Sequence, residues 1–254
     1  MRLRLALLVC AIGSACAGSG VFKPDYEYEE ELYLALDGWA TLSVNASVVS
    51  LVALRGANLD ADPRARVDRD AVRAFFGAPA VPVTVSLSRR GGRRFVHVGV
   101  RVRDVRDLSR LRPFAWSTYR LNRRDNVYEF RQVVGPPKVA ALRGQTVAAR
   151  LGPPWAGDEL VLFRMHLPSE ITFHNAPGGT IERGNILDWE QSLVDRLAGR
   201  PVEIQVNLEP TSILARTLLL FGATVLAAAA ALMAAVWWIR RRGRDEVTAS
   251  PAPR

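Results

Sequence analysis

Cysteine is nearly missing: the 254 residues hold two, Cys10 and Cys16, both within the first sixteen positions. A disulfide framework or a thiolate metal cluster is therefore excluded beyond residue 16, and the fold must rest on its apolar core. Lysine is as scarce, with Lys23 and Lys138 the only two among 34 basic residues. This arginine and alanine bias reflects nucleotide composition as much as chemistry, so the isoelectric point near 10.5 is a weak guide to partners. Histidine occurs three times, at His97, His166 and His174. No Gly-x-Ser-x-Gly elbow, cysteine nucleophile or glycine-rich phosphate loop is present. The chain is therefore expected to be non-catalytic and to carry no cofactor.

Apolar content is plentiful, at 49% of residues, and two runs of it set the topology. Residues 1–17 pair Arg2 and Arg4 with the apolar stretch from Leu5 to Ile12 and then small residues, with Ala15 and Ala17 offering an Ala-x-Ala cleavage site. This is the pattern of a secretory signal peptide. Cys16 admits a second reading, lipidation as in bacterial lipoproteins, with Ile12 one position too far upstream for a regular box.

Residues 217–239 form an uncharged stretch bounded by Arg216 and by Arg240, Arg241, Arg242 and Arg244. At ~1.5 Å per residue it reaches ~34 Å, enough to cross a bilayer core of ~30 Å. Trp237 and Trp238 fall at interfacial depth, and the arginines beyond them predict a cytoplasmic tail over residues 240–254. The expected arrangement is a single-pass type I membrane protein. Its ectodomain, residues 18–210, would be periplasmic or extracellular, with its C-terminus in the cytoplasm. Ala223, Ala227 and Ala231 repeat at four-residue spacing, a face on which two such helices can approach closely.

Between these runs the pattern predicts an α+β domain: antiparallel and β-rich, with two or more short helices, ahead of the C-terminal transmembrane helix. Tyr26, Tyr28, Leu32, Leu34 and Leu36 alternate with Glu27, Glu29 and Glu31, which reads as a strand with one buried and one solvated face. Asp37-Gly38 then turns the chain into Ala40, Leu42 and Val44. Residues 47–55 and 68–76, closed by Gly56 and Gly77, read as helices. A second hairpin runs through Val81, Val83, Val85 and Leu87, turns at Gly91-Gly92, and returns through Val96, Val98, Val100 and Val102. Further strands are predicted at 115–121, 127–134, 160–167, 171–175, 185–193 and 202–208. Residues 135–158 read as a long connection with one helical turn around residues 139–142.

The order of elements, residues 31–45, the run Arg183-Gly184-Asn185-Ile186-Leu187-Asp188-Trp189-Glu190, the single span and the basic tail resemble the LppM-type family of bacterial envelope proteins. That resemblance implies a surface-exposed, membrane-tethered α/β domain; binding of envelope glycolipids has been proposed for the mycobacterial member.

Among chemical candidates, His166 and His174 with Glu170 and Glu182 fit no compact metal pattern, and a hairpin between the histidines would set both on a solvated face. Glu27, Glu29, Glu30 and Glu31 read as a solvated strand face without a calcium loop. The segment 89–112 stands out. It holds nine arginines against Asp104 and Asp107, a net charge of +7. Arg89, Arg90, Arg93, Arg94, Arg101 and Arg103, with Trp116 close behind, form the candidate ligand-binding set, since an arginine fork matches phosphate and carboxylate. A solvated arginine-rich face is the plain alternative. The expected partners are the lipid bilayer and either an anionic lipid or glycolipid or another envelope protein. An exported location excludes nucleic acid. A structural or assembly role in an envelope complex is the second reading.

Overall fold

The computed structural model describes residues 26–135, 157–179, 181 and 185–248, with side chains as far as Arg240. The signal peptide with Cys16, the helical turn around residues 139–142, Glu182, Arg183, Gly184 and the last six residues lie outside the described residues.

The protein is α+β, with ten strands in two sheets among the described residues. The larger sheet has six: β1 (Tyr26–Leu34), β2 (Ala40–Ser47), β3 (Val83–Arg90), β4 (Arg93–Val102), β7 (Leu160–His166) and β9 (Ile186–Ser192), in the order β3-β4-β2-β1-β7-β9. The smaller holds β5 (Ser117–Arg124), β6 (Val127–Val134), β8 (Ser169–His174) and β10 (Val202–Ser212), in the order β5-β6-β10-β8. Every neighbouring pair is antiparallel except β1 with β7. One apolar core joins Tyr28, Leu32 and Leu42 of the larger sheet to Phe130, Val134 and Val206 of the smaller.

Local chemistry explains most elements. The helix α1 (Val48–Arg55) begins where the Ser50 N–H donates to Ser47 Oγ at 3.1 Å and ends at Gly56, whose φ of 66° is open to a residue without Cβ. The second helix, α2 (Arg69–Phe76), is capped by Asp68, which accepts from the backbone N–H groups of Asp70 and Ala71. Gly77 ends it in extended rather than left-handed backbone. A short α3 (Leu193–Leu197) and two 3-10 turns, Val105–Arg110 and Arg112–Phe114, were not legible as apolar periodicity.

The two hairpin turns differ. Gly91 and Gly92 both take positive φ, 55° and 75°, as a two-residue turn of that twist requires. In the first hairpin only Gly38 does, and the loop widens: Ala35 N–H donates to Trp39 O at 2.9 Å and Gly38 N–H to Ala35 O at 3.1 Å.

The structure corrects two expectations. First, β7 and β8 do not form a hairpin but enter different sheets, so His166 and His174 share no face. Second, the β1 carboxylates are not a solvated row, since Glu27, Glu29 and Glu30 are all buried. Glu30 lies on the core side of β1 with Tyr28 and Leu32, where period two places it.

From Ser212 the chain passes without a linker into α4 (Ile213–Thr248). The most apolar 18 residues of its segment Ile213–Arg240 have a mean hydropathy of 2.3, and none of them is buried against the domain. It is long and apolar enough to cross a membrane.

Candidate functional site

The ladder registers define two ends of the larger sheet. At one end, Arg90 pairs with Arg93, Phe95 with Ser47, Tyr26 with Leu160, and Leu160 with Ser192. At the other, Leu34 pairs with Ala40, Ala40 with Val102, and His166 with both Tyr33 and Ile186. The long helix departs from this second end, where Ile213 N–H donates to Pro168 O at 3.0 Å. Arg93 and Val102 sit at opposite ends of one strand, roughly 30 Å apart at ~3.3 Å per residue. The arginines singled out from the sequence are thus divided between two places.

At the end away from the helix, arginines fasten the β3–β4 hairpin to the body. Arg93 pairs with Glu27 and, at 3.5 Å, with Glu159. Arg90 donates to Tyr26 O at 2.8 Å and lies 4.3 Å from the Phe95 ring centre. Arg94 donates to Ala65 O at 2.9 Å and to Asp60 O, and Arg89 to Pro63 O at 3.1 Å. Burial holds the Arg94 guanidinium below its ordinary pKa, with Asp60 opposing. These bonds draw the loop between α1 and α2 against the hairpin and open a groove of about 910 Å³ between them.

Five arginines line the groove, Arg64, Arg66, Arg69, Arg89 and Arg94, against Asp68 and Asp70. Asp68 is committed to capping α2 and Asp70 pairs with Arg73. Arg64, Arg66 and Arg69 are exposed, and their guanidinium groups make no hydrogen bond or ion pair among the described residues. Sequence reasoning missed these three, although Arg64 and Arg66 ahead of α2 and Arg69 at its first position fall within six residues.

Arg101 and Arg103 lie at the helix end. They line a second, smaller groove of about 470 Å³ with Trp39, Ala80, Val81, Pro82, Val102 and Asp107.

Trp116 belongs to neither place. Its indole N–H donates to Pro113 O at 2.9 Å, and the guanidinium carbons of Arg55 and Arg196 lie 4.1 and 5.3 Å from its ring centre. Around it is a buried polar cluster: Arg55 pairs with Glu30 and donates to the Tyr28 hydroxyl at 2.7 Å, while Tyr28 donates to Glu30. Burial pushes the Tyr28 phenol up to about 12 although Arg55 pulls against it.

The outer face of β1, β7 and β9 carries a second cluster. Arg164 grips Asp188 through two bonds, Nε to Oδ1 at 2.8 Å and a terminal nitrogen to Oδ2 at 2.7 Å, with Glu31 and Glu29 at 3.4 and 3.5 Å. The Asp188 contact raises the Arg164 pKa, so this cation is permanent. Tyr26 donates to Glu190 beside it, and burial followed by that carboxylate raises the phenol pKa. No group of three or more His, Cys, Asp or Glu side chains among the described residues is arranged to hold a metal ion.

Fold and surface together define a two-sheet α+β domain with an arginine-lined groove at one end and a long apolar helix leaving the other. No protein-family model matches the chain, and no curated protein matches it. Among solved structures it is similar to the NMR structure of the folded domain of Mycobacterium tuberculosis LppM, at 12% identity over 78% of this chain and 98% of that one, with a TM-score of 0.39. The likeness is distant, and no ligand or role passes to this chain through it.

Proposed function

We propose that the protein is a membrane-tethered bacterial envelope protein whose exported domain binds, without catalysis, an anionic envelope ligand such as a phosphate-bearing lipid or glycolipid headgroup. The observation that carries this reading is the groove, where Arg64, Arg66 and Arg69 present exposed guanidinium groups beside Arg89. Guanidinium forks make two-point contacts with phosphate and carboxylate oxygens. Arg89 and Arg94 hold the groove open through backbone carbonyls. Because the tether leaves the opposite end of the sheet, the groove addresses a ligand presented from outside rather than the headgroups of the membrane that holds the chain.

The test uses the full chain in zwitterionic phosphatidylcholine nanodiscs, titrated with soluble short-chain phosphatidylglycerol and, separately, short-chain phosphatidylcholine. The account expects binding of the first only, weakened at least tenfold when Arg64, Arg66 and Arg69 are all replaced by Gln. Equal binding of the two lipids, or a variant that binds as well as the parent chain, overturns it.

A further inference from the structure

We propose that the helix end of the larger sheet is a membrane seat, in which Trp39 and the groove around it rest at the phospholipid headgroup level of the same bilayer that α4 crosses. The proposal depends on the reading that Ile213–Arg240 crosses a bilayer, and it adds a contact that the tether alone does not require.

Three observations carry it. The first is the absence of slack. Ile213 N–H donates to Pro168 O, and Arg216, in the first turn of the helix, pairs with Glu170 at 3.2 Å and with Glu209. These contacts join the helix directly to β8 and β10, so the end of the domain that meets the membrane is determined within one helical turn.

The second is the ladder. β7 ends at His166, beside Pro168, and its neighbour β1 ends opposite the start of β2, where Trp39 stands just before Ala40. The next strand, β4, ends at Val102 against Ala40. Trp39 is therefore two strand spacings from the root of the helix, ~10 Å at ~4.8 Å per strand, and Arg101 and Arg103 are three, ~14 Å.

The third is the chemistry of the surface. Trp39 is 46% exposed and Tyr33, on the neighbouring stretch of β1, is 44% exposed. Large aromatic side chains left half in water at a tether's root match the amphipathic interface of a bilayer, where tryptophan and tyrosine concentrate. Ala80, Val81 and Pro82 give the groove an apolar floor. Arg101 and Arg103 are exposed and make no ion pair among the described residues, whereas the nearby acids are occupied: Asp104 by Arg106, Asp107 by Arg110, and Asp37 by the Trp39 N–H. Two exposed guanidinium groups flanking an indole are suited to lipid phosphates on either side of it.

The experiment places the photo-crosslinking residue benzoylphenylalanine at position 39 or, in a separate chain, at position 194, in full-length protein embedded in membranes. Val194 is 58% exposed on α3 at the end of the sheet away from the long helix and lines neither groove. After irradiation, adducts are identified by mass spectrometry, and alkaline carbonate extraction is run in parallel to establish insertion. The proposal expects phospholipid adducts at position 39 and none at position 194. It also expects the yield at 39 to fall severalfold when Arg101 and Arg103 are both replaced by Gln. A carbonate-resistant chain that gives no lipid adduct at position 39, gives only protein adducts there, or labels equally at 194, overturns the seat and leaves the tether standing. A chain released by carbonate overturns the tether itself.

Discussion

Arg55 and Glu30 form an ion pair inside the apolar core, with side chains 1% and 2% exposed. The pair joins α1 to β1, and the Tyr28 hydroxyl bridges it, accepting from Arg55 Nε and donating to Glu30. Removing one partner leaves an uncompensated buried charge, a loss of about 3–5 kcal/mol. Glu30→Gln or Arg55→Met should each lower the unfolding free energy by that margin. Arg55→Met combined with Glu30→Leu should recover much of it. The measurement is chemical denaturation of the four chains, and single-mutant losses under about 1 kcal/mol contradict the pairing.

His166 stacks on Tyr33, ring centres 4.0 Å apart and planes 8° from parallel. Burial holds its pKa below the ordinary value, with Glu31 opposing. The unfolded chain, with a histidine pKa near ~6.5, therefore binds more protons than the folded one in the window below that value. Stability from this residue is fully present above about pH 6.5 and is lost as the pH falls toward the folded-state pKa. Denaturation between pH 7.5 and 5 should show a decline that His166→Gln makes shallower. An unchanged slope in the variant rules out this contribution.

Arg196 is 1% exposed and is held by backbone carbonyls, donating to Val134 O at 3.1 Å, Arg200 O at 2.9 Å and Gly135 O. Burial, followed by the Arg55 charge, pushes its pKa down to about 10. It acts as a clamp on the end of β6. Arg196→Met should cost about 2–4 kcal/mol by stranding those carbonyls, and Arg196→Lys should fail to rescue, because one ammonium cannot reproduce a planar fork. At the same corner a Cβ on Gly135 would stand 2.5 Å from Trp116 O. Gly135→Ala should therefore destabilise by about 1–3 kcal/mol. Thermal melts of the three chains check both expectations.

Binding in the groove should depend on salt, because its arginines are exposed and screening acts over ~8–10 Å at physiological ionic strength. Raising salt from 50 to 500 mM should weaken short-chain phosphatidylglycerol binding at least several-fold. Affinity indifferent to salt would mean that the exposed guanidinium groups of Arg64, Arg66 and Arg69 are not the contacts.

What the sequence made legible follows from local rules. Period-two alternation located the strands, Gly56 marked a helix end, and Gly91-Gly92 specified a hairpin, because each depends on neighbours a few residues away. What it hid depends on distant partners. Glu30 reads as one more acidic strand residue until Arg55 is brought across from α1. The eight-residue interval from His166 to His174 suggests a hairpin, and only the pairing of β7 with β1 and of β8 with β10 separates them. The arginine segment stands out in the sequence, yet its members have different duties: Arg90, Arg93 and Arg94 fasten the hairpin while Arg101 and Arg103 stand at the far end. Arg64, Arg66 and Arg69 joined Arg89 only because the preceding loop folds back onto β3 and β4.

The central claim is that α4 crosses the membrane once, with the two-sheet domain outside. Its most direct test is protease treatment of right-side-out membrane vesicles bearing the full chain with an epitope added after Arg254. The account predicts that the domain is digested while the epitope survives on a short protected fragment until the vesicles are opened. Loss of the epitope from sealed vesicles, or recovery of the intact chain in the soluble fraction, contradicts it.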